Sequence, residues 1–235
     1  MTDRMTLLSH IRELRDRVIK ALMALSVGTI IGFFFNQRGR EFLEQPYVDI
    51  TDNKLGFLSP ADGFSQAMKV SLFIGLVIAA PFVIYQIWRF VAPALSRREK
   101  KLVIPLSLVM AGLFFAGLLL AYWTLPLALR VLFSFASESV EPTITEPDYL
   151  SFVLRYMLGF GLGFQFPVAL FAAATFGLLT SQRLRKSWRG AMVTIVVVAA
   201  LIMPGGDPLQ LLMLAIPMYL LYEATILAIK LLLRK

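Results

Sequence analysis

The chain contains no cysteine and a single histidine, His10, among its 235 residues. Without cysteine it can form neither disulfide bonds nor the thiolate sites that hold structural zinc or iron–sulfur clusters. One imidazole cannot build a metal site by itself, because zinc needs several protein ligands. We therefore expect no metal and no cofactor, and the composition leaves the redox compartment open.

Charged residues are also scarce. They make up 16% of the chain, whereas hydrophobic residues make up 58% and the mean hydropathy is +0.73. This composition is too apolar for a soluble domain, so we predict an integral membrane protein. At ~20 residues for each helical span, residues 1–235 leave room for about half a dozen spans in a single transmembrane domain. No small-residue cleavage site follows the first apolar stretch, so we expect no removable signal peptide.

Six apolar segments alternate with stretches that contain charge, proline or glycine. They lie at residues 18–35, 66–91, 102–129, 149–179, 190–203 and 209–229. In lipid every backbone polar group needs an internal partner, and these segments lack the alternating pattern of a barrel. We therefore predict an all-α membrane protein with six transmembrane helices. The fifth segment rises only ~21 Å, against a hydrocarbon core of ~30 Å, so it should thin the bilayer or pack against its neighbours.

Lysine and arginine residues cluster on one side of this predicted topology. They lie before the first segment, between the second and third, between the fourth and fifth, and after the sixth. Cytoplasmic loops carry such an excess, so both termini are predicted to be cytoplasmic. The net charge of +8 then reflects membrane topology, and nucleic acid is not an expected partner.

Acidic residues gather on the opposite side, mainly in two long connections at residues 36–65 and 130–148. Both connections contain prolines. Ordered loops of this length tend to be functional, so we predict that they form a periplasmic cap. A solvated linker is the alternative.

Two acidic residues on the basic side, Glu13 and Glu99, are candidates to bind a basic ligand. The surrounding positive charge would repel such a ligand unless a carboxylate faced it. Each also has a structural interpretation. Glu13 lies four residues before Arg17 on a helical pattern and could pair with it. Glu99 ends the stretch "SRRE" at 96–99, which fits a capping box at the start of the third helix. Spacing alone favours the structural role for both.

Polar residues and prolines interrupt the apolar segments at a few points. Gln165 lies within "GLGFQFP" at 161–167, which predicts a hydrogen bond to a neighbouring helix, either of this chain or of another protein. Glu223, near the end of the last segment, could extend to the membrane surface or face an interior groove. Pro81 and Pro167 predict kinks in the second and fourth helices.

Four longer motifs resemble those of one family. They are "HIRELRDR" at 10–17, "APFVIYQIWRFVAPAL" at 80–95, "YLSFVLRYMLGFGLGFQFPV" at 149–168 and "LAIPMYLLYE" at 214–223. In this order and topology they are similar to the TatC family of the twin-arginine protein translocase. The resemblance covers nearly the whole chain.

The resemblance implies a receptor in the bacterial or archaeal cytoplasmic membrane, with six helices in a bent, concave bundle. Such a receptor binds the twin-arginine signal peptides of folded cargo proteins. It assembles with single-span TatA and TatB subunits, and with further copies of itself, for export driven by the proton-motive force. Glu13 and Glu99 align with the carboxylates that contact the peptide arginines. Arg15 and Phe90 match positions that organise this site.

The chain departs from the family pattern at partner-docking positions. Gln165 replaces the usual glutamate on the concave groove, and we hypothesise that a neutral hydrogen-bonding group suffices there. Asp207 keeps its register in "PGGDPLQL" at 204–211, but Leu211 stands at the usual glutamine position. The resemblance also assigns Glu223 to the polar, partner-docking set.

Two other classes of membrane protein have similar span numbers. An intramembrane serine protease needs a histidine beside a serine within the membrane, but His10 precedes the first segment. We therefore expect no enzymatic activity. A small-solute secondary transporter is the alternative function, because Pro81 and Pro167 could break helices around a midplane site.

Overall fold

The computed structural model describes residues 7–51, 55–92, 103–135, 144–202 and 208–233, and these residues are almost entirely helical. In the described part of the chain the one backbone pairing of β type is an isolated parallel bridge between Gly56 and Thr145. The predicted all-α class is therefore confirmed. The helices are α1 Leu7–Thr51, α2 Asp62–Val91, α3 Val103–Ser134, α4 Glu146–Gly163, α5 Phe166–Thr175, α6 Ser181–Lys186, α7 Trp188–Ile202 and α8 Pro208–Ala228, with a π-helical extension at Ile229–Leu233.

Among the described residues, five stretches of helix are long and apolar enough to cross a membrane, by length and composition. They overlap the first, second, third, fourth and sixth predicted segments, although the fourth stretch ends at Thr175, four residues before the predicted end. The fifth predicted segment corresponds to the shorter apolar helix Trp188–Leu201, which agrees with the expectation that this span is short. Large apolar side chains on these helices are exposed, for example Phe34 at 80% and Leu119 at 71%. Lipid is the solvent that suits such surfaces.

The largest difference from the predicted elements concerns residues 36–51. They were predicted to belong to a long connection, but they continue α1, which contains 45 residues. At ~1.5 Å per residue such a helix is ~68 Å long, more than twice the hydrocarbon core. Leu43 and Tyr47 are buried at 3% and 2% exposure. They lie four residues apart, so they form one apolar face on this otherwise polar stretch of helix. The prediction was wrong because a mostly polar stretch can still form a helix when a few apolar residues on one face are buried.

The predicted fourth span is divided into α4 and α5 at Phe164 and Gln165. Pro167 lies in the first turn of α5, where its missing N–H costs no hydrogen bond. The interruption agrees with the kink predicted from Pro167. α2 continues through Pro81 as one helix.

The chain forms two compact units. The first contains the described parts of Met1–Gly39 and Ala67–Ala111. Within it α1 and α2 approach so closely that a Cβ atom added at Gly28 would lie 2.6 Å from the carbonyl oxygen of Gly75. Small residues at helix crossings allow such backbone contact in membranes, and two glycines supply it here.

The second unit contains the described parts of Arg40–Gln66 and Gly112–Lys235. Its core includes Tyr149, whose hydroxyl donates to the Leu43 carbonyl at 2.8 Å, and Tyr222, whose hydroxyl donates to the Leu184 carbonyl at 2.7 Å. Buried tyrosines need a partner for the hydroxyl, and backbone carbonyls provide one here. These bonds join α1 to α4 and α6 to α8.

Candidate functional site: a paired carboxylate in the first helix

The first unit places the predicted site residue Glu13 in a small polar network. Its Oε1 accepts a hydrogen bond from Nη2 of Arg17 at 2.8 Å, and the two side chains are 17% and 16% exposed. Nη1 of Arg17 donates to Oε1 of Gln86 at 3.2 Å. The structural pairing of Glu13 with Arg17 is therefore confirmed, and Gln86 links the pair from α1 to α2.

The second carboxylate oxygen of Glu13 differs from the first. Oε2 is buried, and no donor among the described residues lies within hydrogen-bonding distance of it. An ionised carboxylate can accept several hydrogen bonds, so Glu13 retains unused acceptor capacity. Chemically, a carboxylate of this kind is suited to bind a guanidinium or an ammonium group.

A shallow depression of about 380 Å³ lies beside this network on α1. Its lining consists of Ser9, Arg12, Glu13, Asp16, Arg17 and Lys20. Arg15, which the family resemblance connects with recognition, pairs instead with its neighbour Asp16 at 3.0 Å, and both side chains are largely exposed. An exposed pair of this kind contributes little to stability.

Phe90 lies in the same unit and stacks on His10, with ring centroids 4.4 Å apart and planes inclined at 22°. The contact joins the N-terminal part of α1 to the C-terminal part of α2. The structure thus brings Phe90 and Glu13 onto one pair of helices. Glu99 lies outside the described residues.

Gln165 lies at the interruption between α4 and α5. Its backbone N–H donates to the carbonyl of Leu162 at 2.9 Å, three residues earlier. Its side-chain Nε2 donates to the carbonyl of Gly161 at 3.2 Å, four residues earlier. The amide therefore takes the place that a backbone N–H fills in a continuous helix. This bond is local to the interruption, whereas the sequence predicted a bond to a neighbouring helix.

Glu223 lies on α8, half-buried, and its Oε1 accepts a hydrogen bond from the Tyr219 hydroxyl at 3.2 Å. Tyr219 also lines an apolar depression of about 180 Å³ between α7 and α8, together with Met192, Ile195 and Ile216. Asp207 lies outside the described residues. The polar set assigned from the resemblance is therefore spread over separate helices of the second unit, and each described member makes a local hydrogen bond.

Several paired residues were not recognised from the sequence. Gln86 accepts a hydrogen bond from Arg17, the partner of Glu13, and His10 stacks on Phe90. Arg40 donates from Nη1 to Oε1 of Glu146 at 3.1 Å, where Glu146 is 7% exposed. Gln86 interrupts the apolar run "VIYQIW" at 83–88, and that isolated amide was the signal available for it. Arg40 and Glu146 have no such signal, because both belong to polar stretches.

No group of three histidine or acidic side chains lies together as a metal site requires, within the part of the chain that the structure describes. The donor set around Glu13 is instead one of guanidinium, amide and carboxylate groups. Such groups make charge-assisted hydrogen bonds.

Comparison with known proteins identifies the family. The family model described as Sec-independent protein translocase protein (TatC) matches residues 9–217. The chain belongs to the TatC family. A TatC of Aquifex aeolicus is 37% identical over 235 residues, covering 98% of this chain and 97% of the relative. A TatC of Carboxydothermus hydrogenoformans is 33% identical over 223 residues, covering 94% of this chain and 91% of the relative.

Solved TatC structures have the same fold. A crystal structure of the twin-arginine translocase receptor TatC in DDM is 36% identical and superposes with a TM-score of 0.82, covering 94% of this chain and all of that one. The chain is therefore a multi-pass membrane protein and a subunit of a protein translocase. These similarities give no support to the alternative of a small-solute transporter.

Proposed function

We propose that this chain is the receptor of its translocase for twin-arginine signal peptides, and that Glu13 binds a peptide arginine. The observation that supports this most directly is the contact of Glu13 with Arg17 at 2.8 Å. The carboxylate already holds a guanidinium, which is the group that distinguishes such a peptide. The TatC structures that superpose on this chain are described as twin-arginine translocase receptors.

Guanidinium chemistry explains why such a receptor would demand arginine. A planar guanidinium offers two parallel N–H groups to one carboxylate, whereas a lysine ammonium offers a compact point charge. The basic residues Arg12 and Lys20 beside Glu13 repel any cationic peptide, so entry depends on a well-matched carboxylate. Glu99 is proposed as the second carboxylate, with Arg15 and Phe90 organising the site.

The remaining assignments concern topology and partners. We place residues 1–235 in one transmembrane domain of the cytoplasmic membrane, with both termini cytoplasmic and a periplasmic cap on the other face. Single-span TatA- and TatB-type subunits and further copies of this chain complete a complex driven by the proton-motive force. The apolar depression between α7 and α8 supports docking of a single helix, and Gln165, Glu223 and Asp207 are proposed as polar docking positions.

The first test compares two peptides on the purified full chain in detergent. A labelled signal peptide with two adjacent arginines should bind at least about tenfold more tightly than the same peptide with two lysines, because the bidentate contact is lost. Fluorescence anisotropy at low salt measures both dissociation constants. Equal affinity for the two peptides would reject the receptor proposal.

A second prediction concerns Gln165. Gln165→Leu removes the donor to the Gly161 carbonyl, so we expect reduced export in a strain that depends on this chain, with a stability loss of only ~1 kcal/mol. Gln165→Glu restores the family residue and should leave export unchanged if a neutral group suffices. Membrane fractionation confirms that each variant is inserted. Export by Gln165→Glu that exceeds the wild type would show that titration at this position matters.

A further inference from the structure

Glu13 is occupied by a cation of its own chain in this structure. We infer that Arg17 is an internal competitor for the signal peptide, and that Gln86 holds Arg17 once the peptide has displaced it. The inference rests on the proposed function, because it describes how the same carboxylate is regulated. Its consequence is a receptor whose affinity is kept low enough for the peptide to leave.

The contact between Arg17 and Glu13 shields the carboxylate from solvent and from a ligand. Oε1 is taken by Nη2 of Arg17, and Oε2 is buried. A peptide guanidinium that arrives from solvent therefore reaches neither oxygen until Arg17 or the carboxylate moves. The pair is more than four-fifths buried on both sides, so water and salt screen it less than an exposed pair.

Gln86 gives the displaced guanidinium a second partner. Its Oε1 already accepts from Nη1 of Arg17 at 3.2 Å, and the Gln86 side chain is buried at 5% exposure. A partly buried guanidinium without any acceptor would be costly. Arg17 keeps its hydrogen bond to Gln86 when it leaves Glu13. A peptide arginine therefore replaces Arg17 on the carboxylate, and neither guanidinium is left without a partner.

Arg15 and Lys20 lie near this pair but cannot serve as the competitor. Arg15 is paired with Asp16, and Lys20 is exposed and lines the depression. Both contribute positive charge without touching Glu13. Lys20 therefore provides a control for charge alone, since its loss removes the same charge from the same depression as the loss of Arg17.

The test measures the affinity of the full chain in detergent for the two-arginine peptide. Arg17→Gln should bind it about threefold to tenfold more tightly than the wild type, because the internal competitor is gone. The gain should persist at high salt, since it comes from a direct contact. Lys20→Gln should give a smaller gain that salt abolishes. If Arg17 only supports the structure of the site, Arg17→Gln should bind the peptide more weakly than the wild type, because a disturbed site loses affinity.

Gln86→Leu provides the second variant. It removes the acceptor for displaced Arg17, so the affinity should fall severalfold in the wild-type background and stay unchanged in the Arg17→Gln background.

Unchanged or weaker binding by Arg17→Gln overturns the competitor, and an equal effect of Gln86→Leu in both backgrounds overturns the role of Gln86. If the wild type does not discriminate arginine from lysine peptides, the proposed function itself fails. If it discriminates and Arg17→Gln gains no affinity, only this inference fails.

Discussion

Replacing Glu13 by alanine is expected to weaken binding of the two-arginine peptide by at least about thirtyfold, equivalent to ~2 kcal/mol. The variant removes the carboxylate that is proposed to accept the peptide guanidinium. It also leaves Arg17 with Gln86 as its remaining acceptor among the contacts described, so the basic character of the depression increases. Both changes act in the same direction. The measurement is a peptide titration of the purified full chain at low salt.

The matched control for Glu13→Ala is Asp16→Asn. Asp16 lines the same depression, carries the same charge and is 56% exposed, and its contact is with Arg15 rather than with the Glu13 network. Its neutralisation should change the affinity by less than about threefold, as expected for an exposed pair. If Glu13→Ala binds as tightly as Asp16→Asn, the wrong carboxylate has been chosen. Glu99→Ala should behave like Glu13→Ala if both carboxylates bind arginine.

The second large effect is expected from Gly28→Leu, which should unfold or separate the first unit. A Cβ atom at this position would lie 2.6 Å from the Gly75 carbonyl oxygen and 3.1 Å from its Cα. The opposing atoms belong to the backbone, so no side-chain rotation relieves the clash and the two helices must move apart. Overpacking of this kind costs up to ~3 kcal/mol, which corresponds to a fall in Tm of about 6–12 °C for a chain of this size.

Gly112→Leu is the control for the glycine prediction. A Cβ atom at Gly112 meets nothing within 4 Å, and the residue is exposed on α3. Leucine also has a better helix propensity than glycine, so this variant should keep or raise the Tm. Thermal unfolding in detergent, followed by loss of monodisperse protein, compares the two. Equal Tm values for Gly28→Leu and Gly112→Leu would contradict the close approach of α1 and α2.

The sequence predicted the helices well where the segments are long and apolar. Long apolar runs must be helical in lipid, because every N–H and C=O needs a partner within the segment. The prediction was wrong at residues 36–51, where the composition is polar and the helix depends on burying Leu43 and Tyr47. Those contacts are made with residues far along the chain, such as Tyr149, and hydropathy alone does not contain them.

Of the contacts in the candidate site, the sequence predicted those within one helix and missed those between helices. Glu13 and Arg17 lie four residues apart on one helix, so their pairing follows from helical geometry. Gln86 lies 69 positions from Arg17, and its contact depends on how α2 packs on α1. The same holds for His10 on Phe90 and for Arg40 on Glu146.

By itself, the sequence determined that this chain is a helical membrane protein and that its motifs resemble those of the TatC family. Local rules suffice for that result, since hydropathy, charge bias and motif order are readable residue by residue. The packed structure was needed to show that Gln86 is the second acceptor of Arg17 and that the Gln165 amide completes an interrupted helix. These contacts are tertiary or depend on a break in a helix, and their geometry exists only after the helices have packed.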